Sequence, residues 1–284
     1  MKIVSFLHNH CVSYGIIAGD GIISAKDRLG GLPLTDVLEN PGPLQNLETG
    51  EPDMALSEVT LLPPVPESRR ILCVGLNYKR HIEETGREAP AYPILFSRHP
   101  SSLVGHGEPI VRPRVSSAFD FEGELAVIIG KSGRHVPEER ALEHVAGYAC
   151  FNDGSIRDFQ RHTSQFLPGK NFDRSGGFGP WLVTADEVGD ICDLLLTTRL
   201  NGEVVQHASV NDLLFGVEAL IAYVSQIWEI RPGDVIATGT PGGVGAARDP
   251  KLWMKPGDRI EVEIGRLGIL SNPIIGEEEE ELAS

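Results

Sequence analysis

The chain has 284 residues, 41% of them hydrophobic, with 32 glycines, 20 prolines and a formal net charge of -15. Such a length and apolar share support a substantial core, read as one large domain with a smaller companion, and the negative charge disfavours nucleic acid or an anionic membrane as partner. No apolar run reaches transmembrane length, and the opening MKIVSFLHNHCVSYG has one lysine, a short apolar run and no small-residue cleavage pattern, so it is expected to be the first strand of a soluble, cytoplasmic protein.

In chain order, residues 1–67 hold the strand-like pieces KIVSFL, SYGIIAG and GIISA, a short helix near LTDVLEN, and the Pro-rich exit LLPPVPES. These read as a small α+β leader domain ending in a turn-rich hinge. Residues 68–275 are strand-heavy, with RRILCVG, AYPILFS, EGELAVIIG, HVAGYACF, LLLTTRLNGEVVQ, GDVIATG and DRIEVEIG. Helices are expected at KRHIEETG, PEERALEHV and DLLFGVEALIAYVSQI, the last because Leu213, Leu214, Val217, Leu220, Ile221 and Val224 recur at helical spacing. PGD appears twice as a tight turn launching a strand, and no sustained βαβ alternation is present. The fold class is therefore mixed, mostly antiparallel β. The glutamates from Glu277 to Glu281 dominate an acidic end, 276–284, expected to be disordered. Cys11, Cys73, Cys150 and Cys192 form no CxxC pair and read as buried, reduced thiols.

Four polar clusters interrupt this pattern. The first is VGLNYKRHIEETG, where His81 and Glu84 share a helix face: either a solvated surface pair or an imidazole oriented by a carboxylate as a base. The second, FDFEGELAVIIGKSG, sets Asp120, Glu122 and Glu124 before an apolar run. Period-two spacing puts Glu122 and Glu124 on one face, where they repel unless the strand end is wet or a cation intervenes. In the third, FNDGSIRDFQ through GKNFD, Asp153 either caps a turn or joins the two glutamates, followed by Arg157, Gln160 and Lys170. Oxygen-only ligands from Glu122, Glu124 and Asp153 favour Mg²⁺ or Mn²⁺ over zinc. The last, ATGTPGGVGAARDP, lacks GK[ST] and opens no Rossmann unit; its amides and the Thr240 hydroxyl either hold a carboxylate or form a demanding turn.

The succession VGLNYKRHIEETG, FDFEGELAVIIGK, FNDGSIRDFQ, GKNFD, GPWLVTADEV, LNGEVVQ and TGTPGGVG resembles the fumarylacetoacetate hydrolase family over about residues 70–275. The resemblance implies a β-roll catalytic domain with a small N-terminal domain, a homodimer or dimer of dimers, and Mg²⁺- or Mn²⁺-dependent chemistry on a 2-oxo acid. It implies Glu122, Glu124 and Asp153 as metal ligands, His81, Glu84 and Lys170 as catalytic residues, and Arg157, Gln160 and Thr240 as substrate contacts. Departures fall at Gly154, Ser155 and Ile156 behind the third ligand, and at Arg98 and His99 where many relatives carry a lysine. Arg98, Arg161 and Arg174, if turned to the cleft, suit a second carboxylate. The implied reaction is hydrolytic cleavage of a carbon-carbon bond in an acylpyruvate such as fumarylpyruvate or maleylpyruvate, with water activated by His81. The rivals are decarboxylation of an oxaloacetate-like β-keto acid, isomerisation of an unsaturated 2-oxo diacid in aromatic catabolism, and, from another class, a non-catalytic metal-containing binding protein.

Overall fold

The computed structural model describes residues 1–279. At its centre the strand Gly123–Ile129 pairs antiparallel with Val145–Asn152 on one side and with Val235–Ala237 on the other. Every residue of this strand is buried, and the period of two explains why its sequence is apolar throughout. Leu125, Val127 and Ile129 face one core, shared with Leu196, Val262, Ile264 and Leu270 of a second, five-stranded sheet. Ala126 and Ile128 face the other, where Ile3, Ile16, Ile23 and Leu34 of the leader cover them.

The leader is part of the same hydrogen-bonded sheet. Lys2–His8 pairs antiparallel with Gly176–Thr184, and Cys11–Ala18, Gly21–Ser24 and Met54–Ala55 extend the order outward into a twelve-stranded sheet. Each fully buried isoleucine there contributes roughly 1.5–3 kcal/mol, so Ile3, Ile16 and Ile23 hold the leader against the sheet far more firmly than a hinge would. Most pairings are antiparallel. The parallel ones are Val235–Ala237 with Ile71–Gly75, Leu103–Val104 with Gly176–Thr184, and Ile110–Arg112 with Gly268–Gly276.

Three expectations shift. The helix expected from Asp212 begins only at Val217, after Gly216: the amide of Leu214 donates to the Asn77 carbonyl at 2.7 Å and that of Phe215 to the Asn77 side chain at 2.8 Å, so those groups are withdrawn from helical pairing. PEERALEHV forms a 3₁₀ helix, Glu138–His144, whose final carbonyl accepts the amides of Gly130 and Lys131 and is drawn into the strand connection. Of the four cysteines, all free, Cys73 and Cys150 are buried but Cys11 and Cys192 are exposed, because they lie at a hairpin turn and a 3₁₀ turn. The expected acidic tail falls from residue 280 outside the described residues; within them, Glu277 accepts the Arg114 amide at 2.7 Å. Among the described residues no helix is long and apolar enough to cross a membrane.

Candidate metal centre and proton-transfer site

Antiparallel register assembles the acidic cluster. Gly123 stands opposite Asn152, and one step beyond, the Asp153 amide donates to the Glu122 carbonyl at 2.8 Å. Asp153 is thereby placed beside Glu122, and Glu124 follows on the same face. Oxygens of Glu122, Glu124 and Asp153 lie within 4.8 Å of one another, and all three residues are buried, at 5%, 2% and 0% exposure. A wet strand end is thus excluded, as is a capping role for the Asp153 carboxylate. Gly123 between the two glutamates is required by packing: a Cβ there would stand 2.1 Å from Thr198 Oγ1.

Cations surround two of the three carboxylates. Lys170 Nζ donates to Glu122 Oε2 and to Asp153 Oδ2, each at 2.6 Å. Arg157 Nη2 stands 2.7 Å from Glu122 Oε1, and Arg98 Nη1 donates to Asp153 Oδ1 at 2.6 Å. Among the described residues Glu124 has no such partner; its Oε2 accepts the Gly239 amide at 2.9 Å. The electrostatics diverge accordingly. Burial by itself would raise Glu122, but the Arg157 and Lys170 charges outweigh it and hold the carboxyl down at about 2. Glu124 is pushed well above the usual carboxylate range by burial, then by the negative charges of Asp153 and Glu122. Burial opposes the charge on Lys170, yet Asp153 and Glu122 together raise it, so the ammonium persists. A buried cluster of hard oxygen donors with one member lacking a counter-charge fits a divalent cation such as Mg²⁺ or Mn²⁺.

His81 lies on the helix Lys79–Thr85 and is 6% exposed. Its Nδ1 is 2.7 Å from Glu84 Oε1, while Glu84 Oε2 accepts the Gly243 amide at 2.8 Å. The pair is therefore an anchored dyad joining the helix to the glycine-rich loop, and the solvated-pair alternative is set aside. With Nδ1 engaged, Nε2 is the ring nitrogen left for a partner. Gly239 in that loop has φ +105°, and a Cβ on it would meet Val74 O at 2.9 Å, so glycine is needed both for conformation and for close approach. His81, Glu122, Glu124, Arg157, Gln160, Lys170 and Thr240 all line one cavity of about 720 Å³.

The expected substrate contacts are more committed than the sequence suggested. Arg157 is buried and also donates from Nε to Asp120 Oδ2 at 2.8 Å and from Nη1 to Gln160 Oε1 at 3.0 Å. The Gln160 carbonyl is thus occupied, which leaves its amide NH₂ for the cavity. Thr240 Oγ1 donates to the Gly123 carbonyl at 3.0 Å and accepts from Gln206 Nε2 at 2.8 Å, so its proton serves the protein rather than a bound carboxylate. Of the arginines expected to reach a distal group, only Arg161 lines the cavity. Arg98 is buried on Asp153, Gly154 O and Ser102 O; Arg174 turns to Glu108 and the Pro109 carbonyl.

Two residues received no role from the sequence yet organise the site. Asp120 accepts the Gly245 and Ala246 amides at 2.7 and 2.9 Å besides Arg157, and the DFEGE run was its only signal. Gln206, 2% exposed, accepts the Gly123 amide at 2.9 Å and donates to Thr240 and to the Pro241 carbonyl, clamping the metal-side strand to the loop. Its place in LNGEVVQ, a strand of β-branched residues, gave no indication of that role.

Comparisons with known proteins agree with this arrangement. The chain is 45% identical over 226 residues to human oxaloacetate tautomerase FAHD2A, mitochondrial, an alignment covering 79% of this chain and 72% of that protein. Its fold superposes on fumarylacetoacetate hydrolase from psychrophilic Exiguobacterium antarcticum with a TM-score of 0.82 at 36% identity, covering 98% of this chain and all of the other. A TM-score of 0.82 at 28% identity, over 97% and 99% of the two chains, relates it to maleylpyruvate hydrolase from Sphingobium sp. SYK-6 in complex with manganese(II) and pyruvate. The expectation of a cytoplasmic protein is corrected here, since the human relative and its Xenopus, rat and bovine counterparts are named as mitochondrial; no feature of folding chemistry separates the two compartments for a chain with unpaired cysteines. Residues 70–275 match the family described as fumarylacetoacetate (FAA) hydrolase C-terminal, and with its acidic triad, its dyad and its sheet order in place, the chain belongs to the fumarylacetoacetate hydrolase family.

Proposed function

We propose that the protein is a divalent-metal-dependent enzyme that moves a proton between carbon and oxygen of a 2-oxo diacid, an oxaloacetate-type tautomerase or isomerase. The observation that carries this reading is the His81–Glu84 dyad lining the same cavity as Glu122 and Glu124, whose carboxylates cluster with that of Asp153. Similarity to an oxaloacetate tautomerase at 45% identity, against 28% for the maleylpyruvate hydrolase, supports reading proton transfer ahead of carbon-carbon hydrolysis.

In this reading Glu122, Glu124 and Asp153 hold Mg²⁺ or Mn²⁺, which when bound supplies Lewis-acid stabilisation of negative charge on the 2-oxo oxygen. Glu84 accepts the Nδ1 proton of His81 and fixes the tautomer, so Nε2 presents a lone pair to the substrate. His81 takes a proton from the carbon beside the 2-oxo group, Glu84 offsets the imidazolium charge, and a proton returns to oxygen. The net change is one proton moved, with no bond between heavy atoms broken. Lys170 stays charged and keeps Glu122 and Asp153 in position. Arg157 orients Gln160, whose NH₂ meets the substrate carboxylate. The protein acts as a homodimer or dimer of dimers; support comes from the edge strand Glu203–Ser209, which leaves Val204 56% exposed, with Leu195 51% exposed at the other end of the strand paired to it.

Hydrolysis of an acylpyruvate is the second reading, favoured by the likeness to the maleylpyruvate hydrolase. One experiment separates them. With Mg²⁺ or Mn²⁺ present, enol–keto conversion of oxaloacetate is followed by ultraviolet absorbance in H₂O and D₂O, beside a panel of acylpyruvates analysed by mass. Accelerated conversion with deuterium gained at the adjacent carbon and no cleavage supports the tautomerase; release of pyruvate and a second acid from an acylpyruvate, without acceleration on oxaloacetate, replaces it with the hydrolase.

A further inference from the structure

Arg98 closes the strand Ile94–Arg98 and is sealed in the interior, its side chain 0% exposed. A guanidinium carries five N–H donors and keeps its charge inside a protein, so such burial demands an acceptor for each donor. All five are present. Nε donates to Ser102 Oγ at 3.1 Å; Nη1 donates to Asp153 Oδ1 at 2.6 Å and to the Gly154 carbonyl at 2.9 Å; Nη2 donates to the Ser102 carbonyl at 3.1 Å and to Ser175 Oγ at 2.8 Å. The two serines turn their own protons elsewhere, Ser102 to the His99 carbonyl and Ser175 to the Phe172 carbonyl, so each presents lone pairs to the fork. Gly176 leaves room for it: a Cβ there would stand 2.8 Å from Nη2. A lysine, a point charge with three donors, cannot fill this cage.

The cage fixes one oxygen of Asp153. Oδ1 is engaged by Arg98 and Oδ2 by Lys170, so turning the carboxylate would break two charge-assisted hydrogen bonds of 2.6 Å. The neighbouring carboxylates are held in the same manner: Glu122 Oε1 faces Arg157 Nη2 at 2.7 Å and its Oε2 accepts from Lys170, while Glu124 Oε2 accepts the Gly239 amide. Each member thus has at least one oxygen engaged by the chain. Arg157 and Lys170 line the cavity, where a bound ligand meets them. Arg98, fully enclosed, is out of such a ligand's reach.

The number of oxygens left free decides which cation a carboxylate cluster accepts. Ca²⁺ takes about six to eight oxygens and readily grips a carboxylate by both of its oxygens, whereas Mg²⁺ is held to about six, from single oxygens and water. We infer that Arg98 is a positioning residue that withholds Oδ1 of Asp153 and thereby makes the cluster selective for Mg²⁺ over Ca²⁺. This rests on the reading above, in which Glu122, Glu124 and Asp153 hold a divalent cation, and adds which residue decides the cation admitted.

Binding tests this without turnover. Calorimetry on the full-length protein titrates Mg²⁺ and Ca²⁺ separately, with no substrate, into the parent, Arg98→Lys and Arg98→Met. The parent is expected to bind Mg²⁺ roughly tenfold or more tighter than Ca²⁺, about the factor that one hydrogen bond to a charged group is worth. Arg98→Met frees Oδ1 and should shift the ratio of the two affinities toward Ca²⁺ by roughly tenfold; Arg98→Lys, which keeps the charge without the fork, should shift it by about threefold. A purely structural arginine would weaken both cations by the same factor and leave the ratio in place. Circular dichroism checks the fold, and if Arg98→Met does not fold, Arg98→Lys decides alone. A parent that binds Ca²⁺ as tightly as Mg²⁺, or folded variants whose ratio stays within about twofold of the parent's, overturns the inference and leaves the metal requirement standing. If the parent binds neither cation, the metal-dependent reading of the site fails and this inference falls with it.

Discussion

Glu122 and Asp153 face each other across a two-strand register, and one ammonium, Lys170 Nζ, bridges their carboxylates at 2.6 Å from each. That bridge divides the acidic cluster: two members are neutralised by cations of the chain, and Glu124 is left without a counter-charge among the described residues. The roles proposed for the site depend on this division.

Removing the uncompensated carboxylate should therefore abolish the metal response. Glu124→Gln is expected to weaken Mg²⁺ or Mn²⁺ binding by roughly 10²-fold or more, beyond the usual cost of losing an outer-shell partner. The metal-free protein should keep its melting temperature or gain slightly, because a buried carboxyl under like-charge repulsion has gone. Thermal melts with and without Mg²⁺ read both effects; an undiminished metal-induced rise in Tm would remove Glu124 from the ligand set.

A proton competes with the cation for Glu124. Its carboxyl is raised above the ordinary value of 4.5 by burial and by Asp153 and Glu122, so in the metal-free protein this group costs stability as pH climbs from the ordinary carboxylate range toward its raised value. Cation binding cancels that loss. Apparent Mg²⁺ affinity should accordingly rise with pH through that interval, with proton release on binding. Glu122 behaves oppositely: held at about 2, it contributes stability that is present above 4.5 and fades as pH falls toward 2. Titration calorimetry in two buffers of different ionisation enthalpy measures the released protons, and identical enthalpies in both would contradict the assignment.

Substituting the base tests the dyad. His81→Ala is expected to lower kcat by a factor on the order of 10² to 10⁴, with metal affinity nearly unchanged because neither His81 nor Glu84 belongs to the acidic cluster. Glu84→Gln should also lower kcat, and it loosens the tie to the Gly243 amide as well. Steady-state kinetics at saturating Mg²⁺ decides; a His81→Ala enzyme within about threefold of the parent would make the histidine a bystander.

Gln206 offers a stability test away from any charge. Truncation to alanine strands the Gly123 amide and the Pro241 carbonyl in a buried place, at a cost of about 1–3 kcal/mol. Chemical denaturation should show a lower midpoint at unchanged slope, and substrate KM should rise as the 239–243 loop loosens. No measurable change in midpoint would mean that water replaces the lost amide.

Local physics made much of this legible in the linear chain. Strand periodicity alone put Glu122 and Glu124 on one side of Gly123, and the two-faced apolar run after them foretold a central strand buried on both sides. The three-residue spacing of His81 and Glu84 needed only a helix to become a hydrogen bond. Charge pairing was another matter. Arg98, Arg161 and Arg174 look alike in sequence, yet only Arg161 lines the cavity, while Arg98 is sealed onto Asp153, 55 residues away. Nor could spacing announce that Gly243, 159 residues on, would anchor Glu84. Periodicity and turn preference arise from sterics within a few residues, and so they can be read along the chain. Which cation meets which carboxylate is decided by burial and by distances across the folded sheet, where charges far apart in sequence compete for the same few buried oxygens.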